Sequence, residues 1–162
     1  MADAPRIRRA TRADRSLLLH FHRALYIGHR TAVVPPELDA FVAYRDMDAA
    51  LRDDVDALLS GPHTMALVAE LTEAPAGYVT GHVETDDRRV LARKGVVEDW
   101  YVEPDARGAG VGRALLEALE RAFRDRGCEV IESETWVGND GARAAHRALG
   151  FLENQVKMRK RL

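Results

Sequence analysis

The spacing of apolar positions changes along this chain, and each change marks a different element. A short stretch of mixed polarity at 6–9 reads as a strand. Thr11 and Asp14 then offer helix caps, and Leu17, Leu18, Phe21, Leu25 and Tyr26 recur at helical intervals up to Gly28. Residues 30–36 end in Pro35-Pro36 and read as a loop. Helical spacing returns over 37–60, with Leu38, Phe41, Val42, Met47, Leu51, Val55, Leu58 and Leu59. A break into two helices is expected near 44–48, and Gly61-Pro62 stops the second.

Beyond that point strands dominate. Residues 65–71 and 77–84 read as the two arms of a hairpin, with Ala74-Pro75-Ala76-Gly77 as its turn. A charged tip at 86–89 leads to the strongest strand, 96–102, which carries Val96, Val97, Trp100, Tyr101 and Val102. A helix is expected over 111–126, with Val111, Leu115, Ala118, Leu119, Ala122 and Phe123 as its apolar face and Gly127 as its end. Residues 130–136 form a strand, Gly138-Asn139-Asp140 caps a last helix that Gly150 ends, and 151–159 reads as a terminal strand. This order implies one α/β domain over 6–162, with a mixed central β-sheet flanked by helices.

Composition narrows the function. The chain has 162 residues, 46% of them apolar and 31% charged, with a net charge of −2. A near-zero balance speaks against a general nucleic-acid binder. The longest apolar runs, five residues at 40–44 and 65–69, are far short of the ~18 that span a membrane. The one cysteine, Cys128, permits no intrachain disulfide, and no metal site is assigned. No signal-peptide pattern follows the basic start, so a cytoplasmic protein is expected.

The candidate chemistry begins where the 96–102 strand meets the 111–126 helix. The connection, Arg107-Gly108-Ala109-Gly110-Val111-Gly112-Arg113, places three glycines at alternate positions. Glycine lets backbone approach a ligand closely, and the free N–H groups of a helix start attract an anion. Two other phosphate loops do not fit. A Walker A loop needs Gly-Lys-Ser/Thr, whereas Gly112 precedes Arg113-Ala114; a dinucleotide fingerprint starting at Gly108 would need glycine at 113.

Arg107-x-x-Gly110-x-Gly112 does fit the Arg/Gln-x-x-Gly-x-Gly/Ala signature of the GCN5-related N-acetyltransferase family. Trp100-Tyr101-Val102 followed by Pro104, then Asn139, Ala142 and Gly150-Phe151, also resemble that family's pattern, and so does the order of elements. The resemblance implies acetyl-CoA as cosubstrate, held in a splayed strand pair. It implies that the amides of Gly108, Ala109, Gly110, Val111, Gly112 and Arg113 hold the pyrophosphate beside Arg107. Trp100, Tyr101 and Val102 would line the pantetheine through their main chain, with the Val102 amide near the thioester carbonyl. Asn139 and Ala142 would flank the pantetheine arm. The acetyl group would pass directly to an amine in a ternary complex. A homodimer is common in this family; nothing in the sequence fixes one.

Direct transfer needs a base for the amine. Glu98 is the choice, with Asp99 second; strand alternation would place Glu98, Trp100 and Val102 on one face. The Glu98-Asp99-Trp100-Tyr101-Val102 run resembles the polyamine and diamine branch of the family. As acid, the family's usual tyrosine is replaced by His146, which falls on the inward stripe with Ala142, Ala145 and Leu149. His146→Tyr would then retain activity. Histidines 20, 22, 29, 63 and 82 carry little signal by position. Seven acids against two arginines over 37–56 suggest an acidic rim for a small amine, polyamine or peptide amine, or a merely solvated helix face. A non-catalytic acyl-CoA-binding module on the same fold is the rival reading; it would need the glycine loop but not Glu98.

Overall fold

The computed structural model describes residues 4–162. It comprises β1 (Arg6–Arg9), α1 (Arg15–Ala32), α2 (Met47–Ser60), β2 (Thr64–Leu71), β3 (Ala74–Thr85), β4 (Arg93–Val102), α3 (Val111–Arg124), β5 (Val130–Ser133) and α4 (Asp140–Ala148). Short 3-10 segments occupy Arg12–Asp14, Pro36–Phe41 and Pro104–Ala106. The strands form one mixed sheet in the order β1-β2-β3-β4-β5, antiparallel up to β4 and parallel between β4 and β5.

Each sheet face carries its own core. Val111, Leu115, Leu116, Leu119 and Phe123 of α3 pack with Met65, Val79 and Val97 on one face. Gly95 makes this close approach feasible, because a Cβ there would stand 2.3 Å from the Phe123 ring. On the opposite face Leu18 and Phe21 of α1 and Val55 of α2 pack with Val68 and Tyr78. Among the described residues no helix is long and apolar enough to cross a membrane.

Several boundaries differ from the sequence expectation. Gly28 does not end α1, which runs on to Ala32 because nothing crowds that glycine and the Val33 and Val34 amides still find the His29 carbonyl. Before α2 the expected first helix of 37–60 is only a short 3-10 segment, Pro36–Phe41, followed by irregular chain up to Met47. Ala74-Pro75-Ala76-Gly77 lies within β3, and the turn is Thr72-Glu73, both at positive φ (51° and 65°). β5 stops at Ser133 instead of 136. The terminal strand does not form: after Gly150 (φ 92°) the chain continues without regular structure.

The acidic rim is also corrected. Arg15, Arg23 and Arg30 of α1 pair with Asp56, Asp48 and Asp39, and Asp46 caps α2 through the Ala49 amide. Three of the seven acids therefore clamp α2 and the turn before it to α1, a fourth caps α2, and Asp54 reaches His22 instead.

Candidate active site

β4 and β5 separate within the sheet. Their pairing runs from Lys94 opposite Val130 to Val97 opposite Ser133. β4 continues to Val102, while the chain after Ser133 leaves toward α4. The result is a fork with α3 on one side and α4 on the other. The direction of one amide follows from alternation. Successive N–H groups of a strand point to opposite edges. The Glu103 amide donates to Ala76 O at 2.9 Å on the β3 side, so the Val102 amide points into the fork.

The glycine loop closes one wall. Gly108 and Gly110 have φ of +81° and +80°, a conformation that a side chain disfavours. Gly110 is the N-cap of α3, and Arg107 ties the loop to β4 by donating its Nε to Val102 O at 3.1 Å. Among the described residues the amides of Gly108, Gly110, Val111, Gly112 and Arg113 reach no backbone acceptor outside the helix. A Cβ at Gly112 would meet Trp100 and Val102 at 3.5 Å, so the loop rests directly on the β4 face that carries these two side chains. Five unpaired donors at a helix start are suited to hold an anion.

The second wall is α4. Asn139 Oδ1 accepts the Ala142 amide at 3.1 Å and so caps the helix. His146 is half-buried, its ring edge-on to Trp100 (5.2 Å) and Phe151 (5.1 Å). Its Nδ1 lies 2.7 Å from Ala142 O, and its Nε2 lies 2.8 Å from Ser133 Oγ. Carbonyl Ala142 can only accept, so Nδ1 carries a hydrogen and Nε2 faces the last residue of β5 at the base of the fork. Ser133 had no signal in the sequence.

A β-bulge shapes the opposite side. Val79 pairs with Trp100 and Gly81 with Val97, so Thr80 alone faces both Glu98 and Asp99. The expectation that Glu98, Trp100 and Val102 share a face is therefore wrong. Trp100 and Val102 pack toward α3. Glu98 lies 3.1 Å from His82 Nδ1, on the face of α1 and α2, and its side chain is 43% exposed. Asp99 lies on the same face at 20% exposure, where its amide and carboxylate meet Thr80 Oγ1 at 3.1 and 3.3 Å. Trp100 Nε1 is buried and bonds to nothing among the described residues.

Asp99 belongs to a network that sequence reasoning missed. His22 of α1 lies with Nδ1 3.0 Å from Tyr78 Oη and 3.4 Å from Asp99 Oδ2, and with Nε2 3.2 Å from Asp54 Oδ2. Burial disfavours its imidazolium, but Asp99 and Asp54 outweigh that and raise its pKa. Tyr78, fully buried, is pushed well above the ordinary phenol range by burial and by Asp99. The missed signal was present, since His22 stands four residues after Leu18 on the inward stripe of α1. His20 does face elsewhere, toward Glu103 at 3.0 Å. Tyr101 packs its ring against Phe21 on the α1 side, so only its main chain faces the fork. Cys128 packs behind α3, away from the fork, where burial raises its thiol pKa.

Comparison with known proteins bears on this geometry. The model of the Acetyltransferase (GNAT) family matches residues 31–151. An aminoglycoside N(6')-acetyltransferase type 1 of Stenotrophomonas maltophilia is 31% identical over 157 residues, covering 96% of this chain and 91% of that protein. The structure of AAC(6')-Iy with the bisubstrate analogue CoA-S-monomethyl-acetylneamine superposes with a TM-score of 0.74 at 21% identity, covering 99% of this chain and 100% of that one. The aminoglycoside 6'-N-acetyltransferase AAC(6')-IG of Acinetobacter haemolyticus gives a TM-score of 0.73 at 21% identity, covering 97% and 99%.

Proposed function

The chain belongs to the acetyltransferase (GNAT) family, and on that footing we propose that it moves an acetyl group directly from acetyl-CoA to a primary amine on a small cationic molecule. The observation that carries this reading is the fork. It has five free amides at the α3 end, the Val102 amide pointing inward, and two carboxylates on the bulge of the opposite face. Acetyl-CoA is the cosubstrate of this family, and the unpaired donors at Gly108 to Arg113 fit its pyrophosphate.

The chemistry divides among this chain's residues. An alkylamine with a pKa near ~10.4 arrives protonated and must lose a proton. Glu98 takes it, since its carboxylate is within reach of solvent and, among the described residues, pairs with His82 alone. The amine nitrogen then attacks the thioester carbon. The Val102 N–H stabilises the oxygen on which negative charge builds. The C–S bond breaks, the nitrogen sheds its second proton to solvent through Glu98, which has passed on the first, and His146 supplies a proton to the departing thiolate. A tyrosine would be a weaker acid at that position. Cys128 lies outside the fork and forms no acyl intermediate.

Asp54, Glu98 and Asp99 leave the acceptor side of the fork acidic after the α1 arginines are used up in ion pairs. This favours an acceptor with more than one ammonium group, as in a polyamine or an aminoglycoside. The relatives' names point to aminoglycosides; the Glu98-Asp99 run points to polyamines. A panel holding both classes together with amino acids and peptides, read as CoA release from acetyl-CoA, tests the reading. Turnover confined to acceptors with a single amine would contradict the acceptor class.

A further inference from the structure

In direct transfer the amine nitrogen sheds two protons per turnover, and a carboxylate holds one at a time. A base such as Glu98 must therefore be unloaded while the acceptor still lies against it. Its partner among the described residues, His82 of β3, is placed for that step. His82 Nδ1 lies 3.1 Å from Glu98 Oε1, and Nε2 lies 3.1 Å from Glu84 Oε1. Glu84 stands two residues on, on the same face of β3. Lys94, opposite it on β4, holds Glu84 at 3.2 Å and Glu132 of β5 at 2.7 Å. A chain of carboxylate, imidazole and carboxylate thus leads from Glu98 to half-exposed Glu84.

The hydrogens available fix what these two contacts can do. A carboxylate and a bare ring nitrogen only accept, so each contact needs one hydrogen. A neutral His82 brings one. On Nε2 it serves Glu84, whose carboxyl His82 and Lys94 hold below the usual carboxylate range and so keep ionised. The contact between Nδ1 and Glu98 is then one hydrogen short. The proton that Glu98 draws from an amine supplies it.

We propose, on the footing that Glu98 is the base, that His82 is its positioning residue: it draws the proton from Glu98 onto Nδ1 and leaves Glu98 ionised for the next. In the first step an amine N–H bond breaks and a Glu98 O–H bond forms. That O–H bond then breaks as an Nδ1–H bond forms, giving an imidazolium between two carboxylates. The imidazolium releases one proton to water. With the cationic nitrogen of the acceptor against Glu98, the hydrogen that remains sits on Nε2 against Glu84. Both protons of the nitrogen reach water by this route, and His146 regains from water the one it gives to the thiolate.

The test is a double-mutant cycle on kcat, with spermidine and neamine as acceptors and CoA release as the readout. His82→Gln keeps an amide that can hydrogen-bond to Glu98 but takes up no proton. It should lower kcat by roughly 10-fold, short of the ~10²–10⁴ of a direct base, with KM for acetyl-CoA unchanged. In the Glu98→Gln background it should slow the enzyme no further. Free imidazole should restore activity to His82→Ala. Where a His82 variant fails to fold, Glu84→Gln, at a half-exposed position, should show the same dependence on background. If Glu98→Gln is slow but His82→Gln matches the wild type, or slows both backgrounds equally, the proposal is overturned and Glu98 stands as base. If Glu98→Gln is as fast as the wild type, or the wild type turns over neither acceptor, both fall.

Discussion

Glu98 and Asp99 are neighbours on β4, yet their carboxylates emerge on the same face of the sheet. Thr80 is the residue that permits this: it stands alone opposite both, and its hydroxyl accepts the Asp99 amide at 3.1 Å. The bulge places two acids on the sheet face of α1 and α2 while Trp100 and Val102 turn toward α3. Thr80 is fully buried. Thr80→Val keeps its shape but strands the Asp99 amide, at a cost of about 1–3 kcal/mol. Urea denaturation should show that loss, and Thr80→Ser should recover most of it. Equal stability of the valine variant would mean that the hydroxyl does not hold the bulge.

His22 makes stability depend on pH. Its folded pKa is raised, so its contribution is complete below the ordinary imidazole value of about 6.5 and is lost as pH rises through the folded value. The groups facing it are Asp99 from β4, Asp54 from α2 and the Tyr78 hydroxyl from β3. Nuclear magnetic resonance titration of the His22 ring should give a midpoint above that of a free imidazole. Asp99→Asn should move the midpoint down. A midpoint that Asp99→Asn leaves in place would contradict the pairing.

His146 should behave as a proton donor with its own pH signature. Its loss in His146→Ala should lower kcat by roughly 10²-fold, the lower end for a general acid. His146→Tyr should retain activity and carry the limb at which rate falls with rising pH upward, because a phenol keeps its proton to higher pH than an imidazolium. Wild-type pH profiles for both variants would remove His146 from the chemistry.

The Thr72-Glu73 turn is strained in a way that substitution can relieve. Both residues occupy the left-handed region (φ 51° and 65°), where a β-branched threonine is disfavoured and Asn-Gly is preferred in two-residue hairpins. Thr72→Asn with Glu73→Gly should raise stability by about 1 kcal/mol. Thermal unfolding checks this, and an unchanged or lower midpoint would contradict it.

The fold was legible wherever one face of an element is buried, because burial imposes its period on the sequence. The α3 stripe from Val111 to Phe123 is the clearest case. The glycine loop was legible because Gly108 and Gly110 need positive φ. The bulge was not, since a one-residue register slip leaves the alternation of residue types intact and changes only which side they face. The His22 network was missed because its partners, Asp54, Tyr78 and Asp99, lie 32, 56 and 77 positions away in the chain. The terminal strand expected over 151–159 does not form, because a pattern of alternation does not supply a partner strand.

The central claim is direct acetyl transfer with Glu98 as base, and single-turnover CoA release from acetyl-CoA with a polyamine or aminoglycoside acceptor tests it most directly. The account predicts turnover by the wild type and a fall of roughly 10²–10⁴-fold in Glu98→Gln, with acetyl-CoA affinity retained. Acetyl-CoA binding without turnover over the whole acceptor panel, or a Glu98→Gln variant as fast as the wild type, would contradict it.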